Sequence, residues 1–193
     1  MKANSQKIIL IIAMGPVHEE CAPSYIELSR NKSLFPSFWL HPDSLKRKGD
    51  VFSYKNKDYS EKYEVNYIAL QSRIGKEKLH KYIFKNSINE IIFLTLQDPW
   101  SVNFANQLIE TYNIKCSGII HNVNKLKEET VNKFWKSKKA IAYTLGEHVS
   151  KRLENKLGLN SKVITSVFNP EYDSGINFFD KKISSTNHSK ISL

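Results

Sequence analysis

The chain is poor in glycine, cysteine and arginine, and each shortage removes a class of explanation. With 7 glycines in 193 residues there is no glycine-rich loop. The turn after the first apolar run, Met14-Gly15-Pro16, holds a single glycine, so the G-x-G-x-x-G dinucleotide fingerprint is absent. The 2 cysteines, Cys21 and Cys116, make neither a disulfide framework nor a Cys-x-x-Cys pair. Both are expected as free thiols in a reducing compartment. The 6 histidines show no His-x-x-x-His or Glu-x-x-His spacing, so no metal site is expected. Long hydrophobic runs are missing too. Lys7 to Ala13 is apolar but brief, well short of the about 20 residues of a spanning helix. It also lacks the longer apolar stretch and small-residue cleavage site of a secretory leader. The expectation is a soluble, cytoplasmic chain.

What is present points to a globular protein. Forty per cent hydrophobic and 11% aromatic residues suit a packed core rather than a disordered chain. A length of 193 residues allows one well-packed domain and is marginal for two. The net charge of +10 comes from 25 lysines and only 4 arginines. Specific nucleic-acid readers favour the arginine fork, which reaches base edges and phosphates bidentately, so specific nucleic-acid binding is not expected. Lysine excess suits diffuse attraction to anionic surfaces, at about 1 kcal/mol per residue near an acidic leaflet. Peripheral contact with an anionic membrane at the inner face of the cell is therefore one expected association.

Apolar runs alternate with amphipathic ones along the chain. Lys7 to Ala13, Ser37 to Leu40, Tyr67 to Leu70, Glu90 to Thr95, Lys115 to His121, Lys139 to Thr144 and Lys162 to Phe168 read as strands. Val51 to Tyr59 alternates loosely, as a small hairpin or an irregular excursion. Helices are expected from Pro23 to about Asn31, from Arg73 to Ser87, from Pro99 to about Tyr112, from Asn124 to Ser137 and from Gly146-Glu147 to Leu157. In the second, Ile74, Leu79, Tyr82 and Ile83 are assigned to one side. Gly158 closes the last as a C-cap. Such alternation predicts an α/β fold: a single Rossmann-like domain with a mostly parallel sheet of 6–7 strands and helices on both faces. The domain is expected over residues 1–173, with 174–193 a disordered tail.

Ligands of open α/β sheets bind beyond the carboxyl ends of the strands, which brings three places forward. The stretch Lys115-Cys116-Ser117-Gly118-Ile119-Ile120-His121-Asn122 is a buried strand ending in a histidine. His121 either does chemistry there or caps the strand on a backbone carbonyl. After Glu90 to Thr95 comes Asp98-Pro99-Trp100. Asp98 reads first as an N-cap, with Pro99 as the first helical residue. Trp100 either floors a cleft or packs the helix. In the first turn, His18, Glu19 and Glu20 are either ligand contacts or a solvated loop. The Asn124 to Ser137 helix sets Leu126, Val131, Phe134 and Trp135 opposite Lys125, Lys133 and Lys136. It is either docked on the sheet or laid on a membrane.

The run from Ile119 to Pro170 resembles the amino-terminal half of a GT-B glycosyltransferase, most like glycosyltransferase family 4. Ile119-Ile120-His121-Asn122 is similar to that family's apolar strand ending in His plus Asp or Asn. Ala140 to Val149, with Gly146-Glu147, is similar to its strand and helix around Val-Ser-Glu, glycine standing for the serine. Lys162 to Asn169-Pro170 is similar to its strand ending in Asn-Pro. The family's first loop is often rich in glycine, and Met14-Gly15-Pro16 departs from that. Its second, donor-binding domain has no counterpart in this sequence.

The resemblance implies an acceptor-binding half. It would take a glycan or lipid-linked acceptor of the cell-surface polysaccharide type and act with a separate donor-domain partner chain. A nucleotide sugar would be the co-substrate, and no further cofactor is implied. His121 would be the catalytic residue, hydrogen-bonding the transferred sugar, with Gly15, Asp98, Trp100, Asn122 and Glu147 binding substrate. The alternative is a catalytically inactive remnant or carbohydrate-binding module.

Overall fold

Ile8–Ile12 forms an inner strand of the sheet, apolar on both sides because a core covers each face. The computed structural model describes residues 7–15, 34–43 and 63–164. Ile8–Ile12 (β1) lies between Phe35–Leu40 (β2) and Glu90–Phe93 (β4), parallel to both. Its alternate residues enter two separate cores. Leu10 and Ile12 pack with Ile91 and Phe93, while Ile9 and Ile11 pack with Ile92 and Leu94 on the reverse face. All of these are sealed from solvent, each contributing about 1.5–3 kcal/mol of burial. This is the uninterrupted apolar pattern of a strand covered on both faces.

The other strands are Glu64–Tyr67 (β3), Lys115–Ile119 (β5), Ala140–Thr144 (β6) and Lys162–Val163 (β7). They join one sheet in the order β3-β2-β1-β4-β5-β6-β7, with every pairing parallel. Among the described residues, four α-helices follow β3, β4, β5 and β6 in turn: Arg73–Lys85 (α1), Pro99–Tyr112 (α2), Glu129–Lys136 (α3) and Glu147–Leu157 (α4). All four send side chains into the same core, among them Leu79, Val102, Phe134 and Leu153. Right-handed crossovers running in one direction along a sheet stack their helices on one face, and crossovers in the opposite direction belong to the other. The chain is thus an α/β domain with a seven-stranded, wholly parallel, Rossmann-like sheet. The strand order reverses between β1 and β4.

Local chemistry sets the helix ends. Asp98 is extended and caps α2, accepting hydrogen bonds from the Trp100 and Ser101 backbone N–H groups, with Pro99 in the first turn. Ser72 caps α1 through Gly75 N–H. Gly158 ends α4 in the left-handed region, at φ 60°, which a residue without Cβ adopts without strain.

Three sequence expectations are corrected. The third strand is Glu64–Tyr67 rather than Tyr67 to Leu70. Leu70 is apolar because the loop into α1 buries it, and the strand itself is a half-buried, partly polar edge. Ile74 is 67% exposed, whereas Gly75 takes the inward position beside Leu79 and Ile83; a five-residue step from 74 to 79 leaves the helix face. The helix expected from Asn124 to Ser137 is two pieces, a 3-10 helix at Val123–Lys127 and then α3. Between them Glu128 is extended, at ψ 128°. Leu126, Val131, Phe134 and Trp135 are nevertheless all buried, as a docked helix requires. The expected Pro23 helix, the Val51 to Tyr59 excursion, the polar groups His18 to Glu20 and the tail from 174 lie outside the described residues.

Candidate functional site

The reversal between β1 and β4 opens a crevice at the carboxyl ends of these strands, the place where open α/β sheets hold ligands. The backbone beyond β4 crosses from one neighbour to the other. Leu94 N–H donates to Ile12 O at 2.8 Å, and Leu96 N–H to Ile119 O at 2.9 Å. The crossing is tight: a Cβ added at Gly118 would lie 2.4 Å from Leu96 Cβ. That close approach is why β5 carries a glycine in an otherwise apolar run. The next residue, Gln97, locks the end of β5. Its Oε1 accepts both His121 N–H and Asn122 N–H, each at 2.8 Å.

A cavity of about 380 Å³ occupies the crevice. Ala13, Met14 and Gly15 form the β1 side, Thr95, Asp98 and Trp100 the β4 side, and Gln71 comes from the loop before α1. Gln71 is held in place by donating its amide to Met14 O. The Thr95 hydroxyl is buried and has no hydrogen-bond partner. Asp98 is occupied by its own helix: one carboxylate oxygen accepts the Trp100 and Ser101 N–H groups at 3.1 and 2.9 Å, and the other accepts the Ser101 hydroxyl at 2.8 Å.

Trp100 is 37% exposed and stacks on Phe104, with the rings 12° from parallel and their centroids 6.2 Å apart. Lys76 Nζ lies 6.0 Å from the Trp100 ring centre and 5.8 Å from that of Phe104. No lysine or arginine is among the residues lining the cavity.

The structure brings Gly15, Asp98 and Trp100 together around this one cavity. It sets His121 and Asn122 one strand away, at the end of β5 and outside the cavity wall. His121 is half-buried. Its Nε2 is 2.9 Å from Leu94 O; a carbonyl only accepts, so Nε2 carries the hydrogen. Asn122 is exposed, and its side chain accepts Asn124 N–H at 2.9 Å to start the 3-10 helix. Glu147 stands farther off, exposed in the first turn of α4, where a carboxylate is favoured by the helix dipole. Gly146 precedes it as an N-cap with no side-chain bond.

Gln71, Thr95 and Gln97 were not singled out by the sequence. The usable signal was their position, two to four residues past a strand end. Among the described residues no group of three His, Cys, Asp or Glu is placed to hold a metal ion. No helix of these residues is long and apolar enough to cross a membrane. Cys116, on β5, is buried in the core, and burial pushes its thiol up to about 12.

No protein-family model matches the chain, and no curated protein matches it.

Proposed function

We propose that the crevice binds an uncharged sugar, and that the chain is the acceptor-binding half of a glycosyltransferase. The observation that carries this reading is the cavity at the reversal of strand order, lined by an exposed indole, the Gln71 amide, the Thr95 hydroxyl and a carboxylate already bonded to its own helix, with no lysine or arginine in the lining. Nucleotide phosphates want backbone N–H nests or basic side chains, and neither is offered by this lining. A glycan wants an aromatic plate for the apolar face of its ring and amides or hydroxyls for its edges. Trp100 supplies the plate; Gln71 and Thr95 supply the edges. The nucleotide-sugar donor, with the charge needed to stabilise its leaving diphosphate, would come on a donor-domain partner chain. The resemblance in the run from Ile119 to Pro170 supports that division. A cell-surface glycan or lipid-linked acceptor would bring the chain to the cytoplasmic side of a membrane. There His121, on the rim formed by β5, would face the transferred sugar.

A second reading has its own support. His121 Nε2 and both Asp98 oxygens are already bonded within the protein, which suits a carbohydrate-binding module without turnover.

The test is calorimetric titration with short neutral oligosaccharides, followed by mixing with donor-domain chains and labelled nucleotide sugars. Saturable binding that Trp100→Ala removes supports the site, and transfer that His121→Ala removes supports the enzyme. Binding without transfer favours the module, and no binding by any glycan overturns both.

A further inference from the structure

A second cavity lies at the opposite end of the sheet, where α3 and α4 finish and β6 and β7 begin. Its volume is about 430 Å³, within the roughly 300–1,000 Å³ of small-molecule sites. Leu126, Trp135, Ala142, Leu157 and Leu159 make an apolar wall. Lys136, Lys138 and Lys162, all exposed, stand around the wall, and no acidic residue is among its lining. The neighbouring Lys139 is paired with Glu110 at 3.0 Å, so that charge is already balanced. Trp135 is 2% exposed, and its indole N–H is buried without an acceptor. The great majority of buried polar groups in native structures are satisfied.

Three lysines with no acidic residue among the lining repel a cation. The lining is apolar at its wall and basic at its edge, with Asn132, Asn160 and Ser161 beside them. It fits a molecule of two unlike halves, since apolar surface gains by leaving water and a lysine ammonium is a compact, mobile charge for a carboxylate or phosphate.

We propose that this cavity binds an anionic amphiphile, its acyl or isoprenoid chain seated between α3, α4 and β6 and its carboxylate or phosphate held by Lys136, Lys138 and Lys162. The site is separate from the sugar crevice and stands whether or not that crevice binds sugar.

The test uses the whole chain and NMR of its three indole N–H groups, with oleate, oleyl alcohol and inorganic phosphate as probes. Oleate is expected to shift the Trp135 signal saturably and leave that of Trp100 in place. Oleyl alcohol and phosphate, each lacking one half, should bind at least about tenfold more weakly. Ala140→Phe, which fills the cavity, should abolish the shift. The combined Lys136→Gln, Lys138→Asn and Lys162→Gln variant should weaken oleate by about tenfold or more with circular dichroism unchanged; asparagine tolerates the positive φ of Lys138. Vesicles of phosphatidylglycerol that shift the same signal, where phosphatidylcholine does not, would assign the chain to a bilayer lipid. A response to oleate alone would assign a free amphiphile. No Trp135 shift with oleate, or a shift indifferent to the lysine variant, overturns the proposal. The lysine variant decides the matter if Ala140→Phe fails to fold.

Discussion

The two cavities are nearly equal in size and opposite in construction. The one between β1 and β4 lies where the chain leaving β4 turns from β1 to β5: Leu94 bonds to Ile12, the Leu96 side chain packs over Gly118, and Gln97 holds two N–H groups of the next strand. The one beside β6 and β7 is made where helices stop, around Gly158 and the ends of α3 and α4. The first should be stiff, because displacing any part breaks hydrogen bonds at the sheet's centre. The second should be compliant, because its walls are side chains beside a two-residue edge strand whose residues are both exposed. A parallel sheet offers both kinds of place, and only the first is set by the order of its strands.

Gly118→Val should break the contrast most severely. Added atoms meet Leu96 at its Cβ, which is no flexible tip, so the cost should be about 1–3 kcal/mol or more. Denaturant unfolding measures the loss, and amide exchange should show it centred on β4 and β5 rather than on α4. Asp98→Ala, which removes the cap of α2, should cost about 0.5–2 kcal/mol in the same assay. It should also weaken glycan binding by moving Trp100. Gly158→Ala is the matching cut at the second cavity. Its left-handed backbone makes about 1 kcal/mol the expected loss, with glycan binding untouched.

A finer distinction comes from pH. His80, on α1, meets Tyr112 on α2, and burial, helped by Lys76, lowers its pKa below 6.5. The folded protein therefore prefers the neutral ring more than the unfolded chain does. Stability from this source is complete above pH 6.5 and falls as pH drops below it. Thermal melts between pH 7.5 and 5 should show that decline and lose it in His80→Phe. Smallest of all, Glu77→Gln should change stability by no more than about 0.5 kcal/mol. The Arg73–Glu77 pair spans 2.8 Å but is largely in water, with the arginine side chain 91% exposed.

The sequence revealed most where burial on both sides left an unbroken apolar run. β1, β4 and β5 fall where such runs stand, β6 is found although Ile141 is 43% exposed, and Asp98-Pro99 marks the start of α2 to the residue. It misled at β3, where a polar edge strand abuts an apolar loop and Leu70 imitates a strand residue. It also missed the break at Glu128, since a helix pattern looks continuous when both pieces bury the same side. Of the residues around the first cavity, Asp98 and Trp100 stood out by their place just past a strand and Gly15 only through the family resemblance. Gln71 did not, because nothing local says that the loop after β3 returns to Met14. The second cavity had no sequence signature, being assembled from the ends of four elements that only the crossovers bring together.

The contact between Leu96 and Gly118 ties two positions far apart in the chain into one choice. A larger residue at one is tolerable only with a smaller residue at the other, so substitutions there should be strongly non-additive. A library varying both together should return trading pairs, and hardly any functional clone bulky at both. Descendants of this fold would then drift along that diagonal rather than explore each position alone.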